Sequence, residues 1–169
     1  MTLKQFLVIL LLLGLFFVLY YVRKNKDVIN LTRQTPAPTS QHKTTITIGN
    51  HEIGIDLADT NEKRARGLGG IRNLMPNQGM LFIFNEKDVT PPFWMKNMLI
   101  PIDIIWIDDG VVTQINARVE PIALQTADEN IPLIIPAEPI DYVLEVRAGY
   151  TEQNQITVGD KVIIPDSIK

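Results

Sequence analysis

The chain has 169 residues, no cysteine and only two histidines. Without cysteine it forms no disulfide, thiol nucleophile or cysteine-ligated metal site. Residues 1–34 hold five Lys/Arg and one Asp of the chain's 16 basic and 19 acidic residues, so residues 35–169 hold eleven and eighteen and carry a net charge of −7. An acidic domain of this kind is a poor partner for nucleic acid. The composition therefore indicates no nucleic-acid binding, and we predict no cofactor and no metal.

Residues 1–24 predict a membrane anchor. The run from Phe6 to Val22 contains seventeen residues without a charge, and as a helix it would be about 25 Å long against a hydrocarbon core of roughly 30 Å. Lys4 and Arg23 flank the run and can extend outward to the headgroups. No small-residue cleavage site follows it, so we expect a single-pass signal anchor that contacts the lipid bilayer. The two ends of the run differ by about one positive charge, which weakly favours a cytoplasmic location of the domain.

Residues 25–42 follow as a predicted tether, since they are polar and contain Pro36 and Pro38 among small residues. The globular domain is predicted at residues 43–169. A Gly49-Asn50 hairpin turn and an Asp109-Gly110 turn separate apolar runs. Asp59 followed by Glu62 resembles a capping box and predicts a helix of about two turns. The predicted strands are 43–48, 53–57, 79–84, 102–107, 111–119, 141–146 and 161–164, with a helical turn at 149–154.

Many short strands with one or two short helices predict a mostly β, α+β domain that is compact and barrel-like. Its densest stretch of candidate chemistry is residues 91–108, where Lys96, Asn97 and Asp103 interrupt apolar sequence. These side chains would grip a polar ligand, with Trp94 or Trp106 as a stacking surface. The structural alternative is that Lys96 pairs with Asp103, Asn97 completes a turn and the tryptophans fill the core.

Two further features are candidates for binding. Arg64, Arg66 and Arg72 flank the glycine-rich run at residues 67–70, which would receive an anion or simply end the helix. Glu145 has its side chain on the opposite face of its strand from Leu144 and Val146, where it would line a barrel surface or meet solvent. The histidines lie in the tether and in a hairpin turn, and serine is confined to positions 40 and 167, which excludes a Ser-His-Asp hydrolase.

Several of these runs match a known family pattern. The motif-bearing segments are residues 58–68, 77–84, the F-W-M-K-N segment at 93–97, the I-P-I-D segment at 100–103, and residues 142–149 and 159–160. Together they resemble the bacterial and archaeal family called domain of unknown function 192, from Ile46 to Ile164. The family usually has Thr where this chain has Met98, and Arg where this chain has Ile71. The resemblance implies a compact β domain, often outside the cytoplasmic membrane. It does not indicate a particular reaction, because none is established for the family.

The leading hypothesis is a membrane-anchored binding or accessory module whose groove is formed by Lys96, Asn97, Asp103, Arg66 and Glu145, with Trp94 as a further candidate contact. Its partner would be a small polar ligand or a protein. The family resemblance outweighs the difference of about one charge between the two ends of the anchor, so we expect the domain on the outer side of the cell membrane. The first alternative is an enzyme that uses Asp103 or Glu145 as general base with Lys96 as electrostatic stabiliser. The second is a scaffold in which the F-W-M-K-N segment only closes the barrel.

Overall fold

The structure is a computed structural model that describes Tyr20 and residues 44–168. Apart from Tyr20, the predicted anchor at residues 1–24 and the tether at 25–42 lie outside the described residues. Within the described part of the chain, every helix is too short or too polar to cross a bilayer.

Residues 44–168 fold into seven strands and two short α-helices. The strands are β1 Thr45–Ile48, β2 His51–Ala58, β3 Gln78–Ile83, β4 Ile102–Asp108, β5 Val111–Val119, β6 Tyr142–Arg147 and β7 Val162–Ile163. The helices are α1 Asn61–Arg66 and α2 Tyr150–Gln153, with 3₁₀ turns at Asp128–Asn130 and Asp166–Ile168. The predicted strands are all present, and none of their ends differs from the prediction by more than two residues.

The strands form a single sheet in the order β5-β4-β6-β3-β2-β1-β7. Neighbours are antiparallel except β2 and β3, which run parallel and are joined by the crossover that contains α1. The two ends of the sheet approach each other, because Val111 bridges Lys161 and the Val162 amide donates to the Gly110 carbonyl at 2.7 Å. The predicted mostly β, barrel-like class is therefore confirmed for residues 44–168 as a nearly closed sheet.

Each face of the central strands buries its own apolar cluster. Leu81 of β3, Leu144 of β6 and Ile105 of β4 are in register on one face. An adjacent residue on each of these strands points to the other face. These residues, Phe82, Val143 and Trp106, belong to the second cluster. Burial on both faces explains why these strands read as continuous apolar runs, whereas β1 and β2 alternate.

Helix α1 begins differently from the sequence prediction. Its N-cap is Thr60, whose side-chain oxygen accepts a hydrogen bond from the Lys63 amide at 3.2 Å. Asp59, the predicted cap, instead pairs with Lys63 at 2.6 Å on the surface. Asp and Thr both cap helices well, and here they are neighbours in the sequence. The spacing between Asp59 and Glu62 therefore predicts the wrong N-cap residue.

Candidate functional site

A groove of about 240 Å³ opens between α1 and the loop that follows β3. Four parts of the chain line it: α1 with the glycine-rich turn, residues 82–84, the loop at residues 91–98, and β6. The lining residues are Asn61, Arg64, Ala65, Arg66, Gly67, Leu68, Phe82, Phe84, Pro91, Pro92, Phe93, Trp94, Lys96, Met98 and Glu145. Four of the six residues that the sequence singled out are among them, namely Arg66, Trp94, Lys96 and Glu145.

Backbone hydrogen bonds hold the F-W-M-K-N segment in place. Phe93 exchanges two 2.8 Å hydrogen bonds with Ile134, which fixes the start of the segment. Asn97 then adopts a left-handed conformation with φ of 59°, which asparagine tolerates better than most residues. The Asn97 carbonyl accepts a hydrogen bond from the Gly70 amide at 2.9 Å and ties the segment to the glycine-rich turn. Asn97 therefore shapes the loop and lines a shallow depression next to the groove.

Aromatic rings form the inner wall of the groove. Phe82 and Phe93 meet edge-to-face with ring centroids 4.8 Å apart, and Phe93 meets Trp106 in the same way at 5.4 Å. Trp106 is fully buried and donates a hydrogen bond to the Asn116 side chain, so it belongs to the core. Trp94 is 38% exposed and lines the groove. Of the two candidate stacking surfaces, only Trp94 is accessible to a ligand.

Glu145 lies at the base of the groove and is only 4% exposed. Its register partners are uncharged, Met80 on β3 and Ile104 on β4. Burial raises the pKa of Glu145 to about 8, opposed by a hydrogen bond from the Leu68 backbone amide. The Oε2 atom has no hydrogen-bond partner. A buried polar atom without a partner costs about 1–3 kcal/mol, so this oxygen is a strong candidate for contact with a ligand.

Gly67 ends α1 and lies against the Glu145 carboxyl group. Its φ of 50° and ψ of −137° end α1, and its amide donates to the Lys63 carbonyl. A Cβ atom at this position would stand 3.4 Å from both Glu145 Oε2 and Phe82 Cζ. The helix stop that the sequence predicted at Gly67 is thus present, and it also brings backbone against the carboxyl group.

Basic side chains surround the groove. Arg64 donates to the Ile83 carbonyl and to the Asn61 side chain, and Lys96 pairs with Asp128 at 2.6 Å. Arg66 is exposed, and its guanidinium makes no hydrogen bond or ion pair with any residue in the described range 44–168. Arg66 is therefore the cation most available to a ligand.

Asp103 does not line the groove. Its carboxylate is fully buried and accepts four hydrogen bonds, from the amides of Arg118, Gly149 and Thr151 and from the Thr151 hydroxyl, at 2.7–3.0 Å. These bonds anchor the first turn of α2 and the end of β5 to β4. The pairing of Lys96 with Asp103, the structural alternative raised by the sequence, is wrong because Lys96 pairs with Asp128 instead.

Sequence reasoning missed an acidic cluster at the β4–β5 turn. Carboxylate oxygens of Asp88, Asp108 and Asp141 lie within 4.8 Å of one another, and Lys87 pairs with Asp141 at 3.3 Å. Burial, followed by the charges of neighbouring aspartates, raises the pKa of Asp108. The members are far apart in sequence, so no spacing signal marks them. We assign no ligand to this cluster.

The two departures from the family pattern fall in different settings. Met98 is 4% exposed and lines the groove, where its thioether adds apolar surface at a position that usually carries a hydroxyl. Ile71 is 39% exposed and does not line the groove. The first departure changes the wall of the candidate site, whereas the second does not.

Solved structures resemble this fold. A protein of unknown function from Novosphingobium aromaticivorans DSM 12444 is 30% identical, with a TM-score of 0.63 over 76% of this chain and 90% of that one. A Sinorhizobium meliloti 1021 protein, provisionally described as a transcription regulator, is 29% identical, with a TM-score of 0.63 over 70% and 91% of the two chains. No curated protein matches. The sequence profile of the DUF192 family, described as uncharacterized ACR, matches residues 42–164, and the chain belongs to this family.

Proposed function

We propose that the domain is a binding module whose ligand enters the groove and contacts Glu145, Arg66, Trp94 and Lys96. The observation that carries this proposal is the Glu145 carboxyl group, which is buried at the base of the groove with Oε2 unpartnered. A purely structural acid would be expected to resemble Asp103, whose oxygens are both satisfied. The contrast between the two acids favours binding over a scaffold role.

A thermal-shift screen of the full-length chain against metabolites and glycans tests the binding proposal. A groove ligand is expected to raise the melting temperature of the wild type and to lose this effect in Trp94→Ala. Glu52→Gln is the matched control, because Glu52 is exposed on β2 and does not line the groove. A compound that stabilises wild type and Trp94→Ala equally would place its binding elsewhere, and a complete lack of stabilising compounds would contradict the proposal.

Proton transfer by Glu145 is a second candidate function. Its pKa near 8 lies close to neutral pH, and strongly perturbed acids in clefts are characteristic of catalytic sites. Asp103, the other acid considered as a general base, is less suited because four hydrogen bonds occupy its oxygens outside the groove. Incubation with cell metabolites followed by mass spectrometry distinguishes the two functions. An enzyme would convert a compound that the Glu145→Gln variant leaves unchanged.

We also propose that residues 6–22 anchor the domain to the cell membrane, with the domain on the extracytoplasmic side. The uncharged run of seventeen residues supports the anchor. The full-length protein is expected to stay with membranes after a carbonate wash and to be cleaved by protease added outside spheroplasts. A soluble, shortened product would contradict the anchor, and protection from the protease would contradict the orientation.

A further inference from the structure

We infer that the ligand of the groove is a small organic anion with an apolar body, whose oxygen meets Glu145 Oε2 and whose negative charge is held by Arg66. This inference rests on the proposed binding function and specifies its ligand class. Three features of the groove support it: the unpartnered oxygen at its base, the apolar side chains of its walls and the unpaired cation at its rim.

The walls of the groove favour an apolar body. Phe82, Phe84 and Phe93 line it together with Pro91 and the buried thioether of Met98. The volume of about 240 Å³ admits a group of the size of one aromatic ring with a short chain. Trp94 adds a partly exposed ring at the opening. An ion without an apolar part would leave most of this surface without contacts.

The rim of the groove favours a negative charge. Arg66 has no ion-pair partner within residues 44–168, while Lys96 is paired with Asp128. Arg64 also lines the groove, where its guanidinium lies 5.8 Å from the centroid of the Phe84 ring. Arg64 and Arg66 have no ion-pair partner within residues 44–168, on a domain whose net charge is −7 over residues 35–169. The groove is thus a local positive site on an acidic protein, which attracts anions and repels cations.

The base of the groove favours an oxygen acceptor. Because burial raises the pKa of Glu145 to about 8, the carboxyl group is protonated at neutral pH and donates a hydrogen bond to a ligand oxygen. The charged groups that line the same groove are Arg64, Arg66 and Lys96, and the neighbours of Glu145 on β3 and β4 are uncharged. An ammonium ligand would instead have to ionise Glu145 inside the apolar base, where desolvation opposes both charges.

Three matched probes test the ligand class: 3-phenylpropanoate, 3-phenylpropanamide and 3-phenylpropylamine. They share one apolar body and differ in carrying a negative, neutral or positive head group. Each is titrated into the full-length protein in mild detergent at about pH 6.5, where the two charged probes are ionised. The change in tryptophan fluorescence reports on Trp94, because Trp106 is buried in the core. Trp94→Phe is expected to remove the signal.

The carboxylate is expected to bind about three- to tenfold more tightly than the amide, and the amine more weakly than both. Arg66→Gln should remove the advantage of the carboxylate over the amide. Arg72→Gln, which removes an exposed arginine outside the groove, should preserve it. Raising the pH to about 9.5 ionises Glu145 and should weaken carboxylate binding about tenfold, and Glu145→Gln should abolish this pH dependence.

Tightest binding by the amine, or equal effects of Arg66→Gln and Arg72→Gln on the carboxylate, would overturn the inference. If all three probes fail while a compound from the thermal-shift screen acts through Trp94, the ligand class is wrong and the binding function stands. If the probes and the screen both fail, the binding function falls with the ligand class.

Discussion

Asp103 and Glu145 lie on adjacent strands, one residue apart in register, and point to opposite faces of the sheet. Asp103 is opposite Val146, whereas Glu145 is opposite Ile104. Because side chains alternate along a strand, the first acid faces the cluster that contains Ile105 and the second faces the groove. Two buried acids that are neighbours in the sheet therefore have different environments: both oxygens of Asp103 are hydrogen-bonded, whereas Glu145 Oε2 has no partner.

Removal of the Asp103 carboxylate is expected to destabilise the domain severely. Asp103→Ala leaves three backbone amides and the Thr151 hydroxyl without their acceptor, at a total cost of about 3–5 kcal/mol in the free energy of unfolding. Urea denaturation measures this loss. Asp128→Ala is the control, because it removes an equal charge from a side chain that is 73% exposed and should change stability by about 0.5 kcal/mol or less. A small effect of Asp103→Ala would contradict its structural role.

Glu145→Gln is expected to stabilise the domain in a pH-dependent way. The pKa of Glu145 is about 8 in the folded state and 4.5 when exposed, so its burial does not affect stability below pH 4.5 and lowers the free energy of unfolding progressively as the pH rises from 4.5 to 8. Glutamine stays neutral throughout. The variant should match the wild type near pH 4.5 and exceed it by a few kcal/mol above pH 8. Unfolding free energies at several pH values check this, and a constant difference would show that Glu145 ionises normally.

Local sequence signals predicted the elements, but not which side chains meet. The Asp109-Gly110 turn marks its hairpin directly, because only neighbouring residues decide it. The partner of Asp103 depends on the register of β4 against β6, and the partner of Lys96 on a loop 32 residues away. Alternation along β6 places Glu145 on the face opposite Leu144 and Val146, and the structure agrees. The burial of Glu145 depends on segments distant in sequence, including the turn after α1, which no pattern within β6 encodes.

Lys96→Ala and Asn97→Ala are expected to affect stability differently. The Lys96–Asp128 pair is exposed, so its loss should cost about 0.5 kcal/mol or less. Asn97→Ala places alanine at a φ of 59° and should cost about 1 kcal/mol, whereas Asn97→Gly relieves the backbone strain and should cost less than Asn97→Ala. Thermal melts of the three variants test this order. A large loss for Lys96→Ala would favour the scaffold alternative.

Gly79→Ala is expected to disturb the groove through the sheet. A Cβ atom at Gly79 would lie 2.6 Å from the Glu145 carbonyl oxygen, so β3 and β6 would have to separate. Gly49→Ala is the control, because a Cβ atom added there would meet no atom within 4 Å, although the residue has a φ of 58°. Its loss of stability should therefore come from backbone strain alone and amount to about 1–2 kcal/mol. Gly79→Ala should cost more and should also weaken ligand binding. Equal effects on stability would show that the strands yield easily.

Residues 42–169 are expected to fold without the N-terminal segment, and the position of β1 defines how far the truncation can go. In the sheet, β1 lies between β2 and β7, and its Ile46 and Ile48 are 1% and 0% exposed. A chain that begins at residue 42 retains this strand, so it should give a β-type circular dichroism spectrum and a cooperative melt.

A chain that begins at residue 50 loses both isoleucines and leaves β2 and β7 without a partner between them. It should melt without cooperativity, because burying two isoleucine side chains contributes about 3–6 kcal/mol, a large part of the stability of a small domain. Cooperative folding of the shorter chain would show that β1 is dispensable, and a non-cooperative melt of residues 42–169 would show that the domain requires the segment before it.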